Sequence, residues 1–436
     1  MSKKNSISIK IAGAQGQGAG SGGQGLAKVF KRAGWHVFGL FDYMSLIKGG
    51  HSFFQITFSD EDVYANSEKV HLVVSFDPQN VQETITDIQT LHEGGVFIVD
   101  DSTPVKPEIE AALKEVGAHL CPIPMVKYGT EIGGNRIMAN TVALGAVVGL
   151  LGLPFETLDS IVRENFAKKS KEIADQNSAV AEAGYKFGKE NFTSKFNFTM
   201  PALNPAKVGD SMLINGNEAI AFGSYAAGCR FFSAYPMTPG TSVFEWFTKQ
   251  NAKLGVVTKH VEDEIAAICM AIGAGQVGAR AMTSTSGGGF CLMVEALGLA
   301  AITEVPVVVV NAQRGGPSTG LPTRTEQADL LFAVNASHGE FTKFVLAPGT
   351  AEQCYDIGAR AHNLANKYQA PVIILTDLLM ADHLRDTTKD AYYKPEVDLG
   401  KVVTKEDLDK LSPDERYLRF KFTEDGVSPR ALPGHP

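Results

Sequence analysis

An α/β chain of two successive units is what this sequence predicts, and three observations carry the prediction. Strand-like apolar runs alternate with helix-like runs along most of the chain. Glycine is abundant, with 44 of 436 residues, and glycine clusters join strand patterns to helix patterns. One run, residues 305–310, contains only valine and proline, as a parallel strand buried on both faces requires.

The elements follow in order. In the first half, strands are expected at 7–12, 36–41, 52–58, 72–76 and 96–99, and helices near 23–32, 81–91 and 138–150. The character changes around 167–210. Lys168, Lys169, Lys171 and Glu172 lead into an Ala/Glu/Lys helix, then into the Asn/Phe/Thr/Pro-rich stretch 191–205. A second unit opens with a helix at 217–227. Its strands are expected at 230–234, 256–260, 279–285, 305–312, 341–346 and 372–375, and its main helices at 264–278, 289–303 and 351–367. After Arg385 the chain turns charged and irregular. The expected organisation is a first domain at 1–189, a linker at 190–210, a second domain at 211–390 and a tail at 391–436.

Charge and composition exclude some roles. A formal net charge of −8 gives nucleic-acid binding no electrostatic support. No apolar run reaches transmembrane length; residues 138–153 come closest, and their glycines make them a buried helix. The N-terminus runs straight into a strand pattern without a signal-peptide core, so a cytoplasmic protein is expected. Cys121, Cys229, Cys269, Cys291 and Cys354 lie far apart. Cysteine-ligated iron–sulfur clusters need clustered spacing, so these read as small core residues. No metal ligands are expected in this chain.

The first strand runs into Gly13-Ala-Gln-Gly16-Gln-Gly18-Ala-Gly20-Ser-Gly22-Gly23-Gln-Gly25 and then a helix. Glycines let a phosphate approach the backbone, and the helix start presents free N–H groups. G-x-G-x-x-G fits in two registers, and Asp42 lies where a ribose-binding acid would sit. This segment alone therefore predicts a dinucleotide site, with tight strand–helix packing as the alternative. Three further segments follow strands of the second unit. Tyr235-Pro236-Met237-Thr238-Pro239-Gly240 is a turn stiffened by two prolines around one hydroxyl. His260-Val-Glu262-Asp263-Glu264 sets acids at a helix start, where capping also favours them. Asn311-Ala-Gln313-Arg314-Gly315-Gly316-Pro317-Ser318-Thr319-Gly320-Leu-Pro322-Thr323 offers a guanidinium suited to bidentate capture of a carboxylate. Between them, Thr283-Ser284-Thr285-Ser286-Gly287-Gly288-Gly289 resembles a ligand-facing turn with no single role assigned.

Together these motifs resemble the 2-oxoacid:ferredoxin oxidoreductases, in the fused γ/α arrangement of the 2-oxoglutarate type, from residue 7 to about 433. The glycine segment followed by Asp42-Tyr-Met-Ser-Leu-Ile-Lys48-Gly49-Gly50-His51-Ser-Phe is similar to the family's Rossmann-like γ domain. In relatives that domain helps form the coenzyme A site, which implies that Gly13, Gly16, Gly18 and Lys48 face CoA. The turn at Tyr235 and Pro236 resembles the Y-P-I-T-P motif of the family's transketolase-like, pyrimidine-binding domain for thiamine diphosphate, with Met237 replacing isoleucine. The resemblance makes Glu264 the glutamate against N1′ of the aminopyrimidine, with Glu262 as the fallback. It makes Arg314 the anchor of the substrate carboxylate, helped by Thr238 and Thr323.

The metal motif G-D-G of a diphosphate half-site is absent from the sequence. The resemblance implies a β subunit that holds the diphosphate, Mg²⁺ and a [4Fe–4S] cluster. The implied reaction is oxidative decarboxylation of a 2-oxo acid with CoA and ferredoxin. 2-Oxoglutarate is the first expectation; pyruvate and branched-chain 2-oxo acids stay open. The stretch 417–434 resembles a link into a further α-subunit domain that this sequence does not contain, as a fragment or split product would. The alternatives are an NAD-dependent dehydrogenase built on the first glycine loop, and an inactive scaffold subunit.

Overall fold

The structure is a computed structural model that describes residues 5–46, 49–167, 169–203 and 210–434. The chain forms two compact units. One extends to Leu213 and takes back His383–Thr388; the other comprises Ile214–Asp382 and the chain from Lys389 onward.

The first unit is built on a mixed sheet. Its strands are β1 (Ser6–Gln15), β2 (His36–Asp42), β3 (Gly49–Ser59), β4 (Val70–Ser75), β5 (Leu91–Asp100), β6 (His119–Ile123) and β7 (Ser211–Ile214). The order is β6-β5-β4-β1-β3-β2, then the strand Leu384–Thr388, then β7. β1, β4, β5 and β6 run parallel, and β3 is antiparallel to both β1 and β2. The parallel part has the helical crossovers that such pairing needs. Alternation sets the faces of β1: Ile7, Ile9 and Ile11 enter the main core with Leu26, Phe30, Trp35 and Phe58. Lys10 points the other way and is buried, held by Asp87 at 3.3 Å, while Asp87 also meets His51 Nε2 at 3.2 Å. A buried ammonium needs such a partner. The Gly-interrupted apolar run becomes the helix Ala139–Leu150, packed on the helix Lys171–Phe192.

The second unit is wholly parallel in its main sheet. Its strands are β8 (Cys229–Ala234), β9 (Val257–His260), β10 (Arg280–Thr285), β11 (Val307–Gln313), β12 (Phe344–Leu346) and β13 (Pro371–Asp377), in the order β12-β13-β11-β10-β8-β9. Every residue of β11 and β13 is buried, which explains the apolar runs Val307–Val310 and Val372–Leu375, with the polar residues kept to the strand ends. The irregular residues after Lys389 belong to this unit, held by aromatic packing of Tyr392 and Tyr393 on Phe222 and Tyr355 and strapped down by arginines. Buried Arg280 donates to Ala227 O at 2.6 Å and to Asp398 O, Arg419 to Glu304 Oε2 at 2.8 Å, and Arg430 to Gly275 O at 3.2 Å. No helix among the described residues is long and apolar enough to cross a membrane.

Candidate active site

Parallel strands deliver their carboxyl ends to one edge, and the second unit gathers its polar residues there. β8 ends at Ala234 and passes into the Tyr235–Gly240 turn. Tyr235 is exposed, Thr238 is half-buried, and Pro239 is buried. The turn lies against the end of β10, where Ser284 Oγ donates to Gly240 O at 2.9 Å. β9 leads to the helix Glu264–Gln276. Its N-cap is Asp263, whose carboxylate accepts from Ala266 N at 2.8 Å. Capping is thus done by Asp263, and Glu264 is left for other work. Glu264 is only 3% exposed whereas Glu262 is exposed, and Glu264 Oε1 is buried without a hydrogen-bond partner.

Arg314 follows β11 directly and is 8% exposed. Its Nη1 donates to Thr238 O at 2.8 Å and its Nη2 to Thr319 O at 3.0 Å, while its Nε has no partner. Burial pushes the guanidinium below its ordinary pKa, and the nearby Glu264 charge opposes that shift. The structure therefore brings Thr238, Glu264 and Arg314 together. Thr238 meets Arg314 through its carbonyl. Thr323 lies half-buried in the same loop, where its carbonyl accepts from Arg324 Nη1 at 3.3 Å.

Other residues at this edge had no role assigned from sequence. Gly289, in the first turn of the helix Gly287–Ile302, lies against Thr285 and Glu264: an added Cβ would overlap Thr285 Oγ1 and stand 2.7 Å from Glu264 Cγ and Oε1. Ser286 Oγ and Asn311 Oδ1 are buried without partners. The run of hydroxyls and glycines between strand and helix was the available signal. Asp329 gave none; it binds Asn311 Nδ2 at 3.1 Å.

In the first unit, Gly13 lies inside β1, and Gly16 and Gly18 follow with φ of 95° and 93°. Gly18 caps the helix Ala19–Ala33, whose first turn carries no acid and no side-chain cap. Gly16, Ile137 and Asn140 line two cavities of about 330 and 680 Å³; Arg136 lines the smaller and Lys169 the larger. Asp42 ends β2, half-buried. Lys48 lies outside the described residues.

Comparison with known proteins agrees with this division. The family model described as pyruvate ferredoxin/flavodoxin oxidoreductase matches residues 8–187, and the one described as pyruvate flavodoxin/ferredoxin oxidoreductase, thiamine diphosphate-binding, matches 222–423. The 2-oxoacid:ferredoxin oxidoreductase subunit alpha of Sulfolobus sp. is 34% identical over 98% of this chain and 72% of its own length. The 2-oxoglutarate synthase subunit KorA of Methanothermobacter thermautotrophicus is 41% identical over 50% of this chain and 56% of its own. Among solved structures, the 2-oxoglutarate:ferredoxin oxidoreductase from Magnetococcus marinus, with 2-oxoglutarate, coenzyme A and succinyl-CoA bound, matches with a TM-score of 0.84 and 32% identity, over 100% of this chain and 73% of that one. The polar edge of the second unit lies inside the thiamine diphosphate-binding match, and the chain belongs to the alpha subunits of the 2-oxoacid:ferredoxin oxidoreductases, an oxidoreductase family.

Proposed function

We propose that this chain supplies the aminopyrimidine half-site and the substrate-carboxylate anchor for oxidative decarboxylation of 2-oxoglutarate, with CoA and ferredoxin as co-substrates. The observation that carries this reading is Glu264 Oε1, buried and unpartnered at the carboxyl edge of the parallel sheet. A buried carboxylate oxygen without a partner costs about 1–3 kcal/mol or more, so a ligand donor there is strongly favoured. Glu264 would hold N1′ of the aminopyrimidine. Thiamine diphosphate, when bound, supplies the carbanion chemistry. Arg314 would take the substrate carboxylate; its two carbonyl bonds hold the guanidinium in place, and its Nε remains to be satisfied. Thr238 and Thr323 would orient the substrate from the same two loops. Tyr235 and Pro236 would line the pyrimidine side. The 2-oxoglutarate named for the relatives from Methanothermobacter and Magnetococcus supports that choice of acid.

CoA is assigned to the first unit. Gly13, Gly16 and Gly18 would cradle its phosphates beside Arg136 or Lys169, and Lys48 would assist. A β subunit would carry the diphosphate, Mg²⁺ and the [4Fe–4S] cluster that passes electrons to ferredoxin. A partner is also favoured by the helix Glu264–Gln276, where Ile265 and Met270 are exposed and Val277, just beyond it, is 61% exposed. On the neighbouring helix Gly287–Ile302, Leu292, Leu299 and Ile302 are exposed too. Helices that are apolar all round are normally covered.

The test uses the chain reconstituted with its β subunit. Glu264→Gln keeps the size and removes the basicity, so turnover and exchange of the cofactor's C2 proton should fall by ~10²–10⁴-fold with assembly intact. Wild-type exchange in that variant would remove Glu264 from the site. The same loss in Glu262→Gln, with Glu264→Gln silent, would move the role two residues back.

A further inference from the structure

We propose that Asp329 is a positioning residue for Arg314: it clamps the base of loop 314–328 against the end of β11 and so fixes where the guanidinium stands. The inference rests on the reading of Arg314 as substrate anchor.

Asn311 and Gln313, two residues apart on β11, project to the same face, and both are buried. Both reach the far end of the loop. Gln313 Oε1 accepts from Asp329 N at 2.8 Å while its Nε2 donates to Thr376 O on β13 at 3.0 Å. Asn311 Nδ2 donates to Asp329 Oδ2 at 3.1 Å. A carboxylate only accepts, so Asp329 also decides which way round the Asn311 amide sits. The same carboxylate approaches Gly287, at the start of the helix Gly287–Ile302, where the helix dipole favours a negative charge.

The loop's other outside contacts are polar too: Arg314 Nη1 donates to Thr238 O at 2.8 Å, and Thr325 Oγ1 accepts from Leu379 N at 3.4 Å. Residues 316–320 are exposed, so apolar packing does not hold them. Inside the loop, Gly315 O accepts from Leu321 N at 2.8 Å, Arg324 O from Gly315 N at 3.2 Å, and Thr319 O from Arg314 Nη2 at 3.0 Å. These bonds tie the loop to itself. Attachment to the sheet is polar: Asp329 on Asn311 and Gln313, and Gln327 on Asp377. Removing the Asp329 carboxylate leaves Asn311 Nδ2 buried and unpartnered, beside an Oδ1 that is so already. The backbone bond from Asp329 N to Gln313 Oε1 remains, but the carboxylate half of the clamp is gone, so the loop base loosens and Arg314 is positioned less firmly.

The test is kinetic, on the complex with the β subunit. Asp329→Ala should raise the 2-oxo-acid KM about tenfold, as expected for a positioning defect, with the KM for CoA within about twofold of wild type. Asp329→Asn can still accept from Asn311 Nδ2 and should restore most of the loss. Added to Arg314→Ala, Asp329→Ala should do nothing more, because the residue it positions is gone. An unchanged 2-oxo-acid KM in Asp329→Ala, with Arg314→Ala impaired, would overturn this inference alone. So would full additivity of the two variants, or a defect in CoA instead. An unimpaired Arg314→Ala would instead overturn the assignment of the anchor. If Asp329→Ala fails to assemble, Asn311→Ala breaks the same clamp from the other side and carries the same expectation.

Discussion

Two glycine-rich turns join a strand to a helix in this molecule, and they use glycine for opposite ends. At Gly16 and Gly18 the backbone is left-handed, with φ of 95° and 93°, and the turn opens onto cavities of about 330 and 680 Å³. At Gly289 the backbone is ordinary helix, and glycine lets Thr285 and Glu264 pack close against it where a methyl group would intrude. One turn makes room and the other removes it. In the second unit Glu264 Oε1, Ser286 Oγ, Asn311 Oδ1 and Arg314 Nε are all buried without partners. In the first unit Gln15 Oε1, at the start of the glycine turn, is also buried without a partner, while the buried charges Lys10 and Asp87 satisfy each other. Unsatisfied buried groups are costly, and the ligand proposed for this strand edge would relieve that cost at Glu264 and Arg314. An open turn can bind a phosphate through backbone N–H groups that water otherwise hydrates.

The sharpest way to break this comparison is at Arg314. Arg314→Ala should cost about 2–5 kcal/mol in kcat/KM for the 2-oxo acid, if the ion pair is desolvated. The KM for CoA should hardly move. Arg314→Lys keeps the charge but loses the planar fork, and should fall between. Steady-state kinetics on the complex, one substrate varied at a time, measures both. A defect confined to CoA would exchange the roles of the two units.

Gly289→Ala comes next. The added methyl group must displace Thr285 or Glu264, and overpacking of this kind costs about 1–3 kcal/mol. Turnover should drop at saturating 2-oxo acid and CoA, because the carboxylate proposed as catalytic moves rather than the proposed substrate anchor. Wild-type turnover with an unchanged melting temperature would mean that the contact with Glu264 has no function.

These two sites also show what a sequence reveals. β11 was legible because its signal is local: an unbroken valine run has few other uses. Glu264 and Arg314 were legible as chemical types at the ends of strands. The strand Leu384–Thr388 was not. It is short and mostly polar, and it enters the first sheet beside β2, where Asp386 accepts from Val37 N at 2.7 Å and meets His36 Nδ1 at 2.8 Å. Such a partnership, some 350 positions apart, leaves no periodicity to read. Asp329 failed for a related reason. Its partners are amides 16 and 18 residues back, and they become its neighbours only when the loop closes.

A smaller effect is expected from Gly18→Ala in the open turn. An alanine at φ 93° is strained, and its Cβ would overlap the Asn140 side chain. The left-handed backbone alone costs about 1–2 kcal/mol, which should appear as a lower melting temperature. The variant should raise the KM for CoA and leave that for the 2-oxo acid unchanged. The reverse pattern would place the 2-oxo acid, not CoA, at the first glycine loop.

Gly273→Ala is the mildest change and has the opposite sign. Gly273 lies in the helix Glu264–Gln276, is exposed, and has open space around the position of an added Cβ. Alanine there should stabilise the isolated chain by about 0.8–1 kcal/mol, the difference in helix propensity. Urea unfolding of the chain alone measures that gain. The same position sits in a four-residue stripe with the exposed residues Ile265, Cys269 and Val277, the face assigned to the β subunit. A partner packed closely on that stripe would meet the new methyl group. The variant should therefore unfold later by itself and bind its partner more weakly, and titrating one subunit into the other tests the second half. Equal stabilisation of chain and complex would leave the helix sound and send the partner to another face.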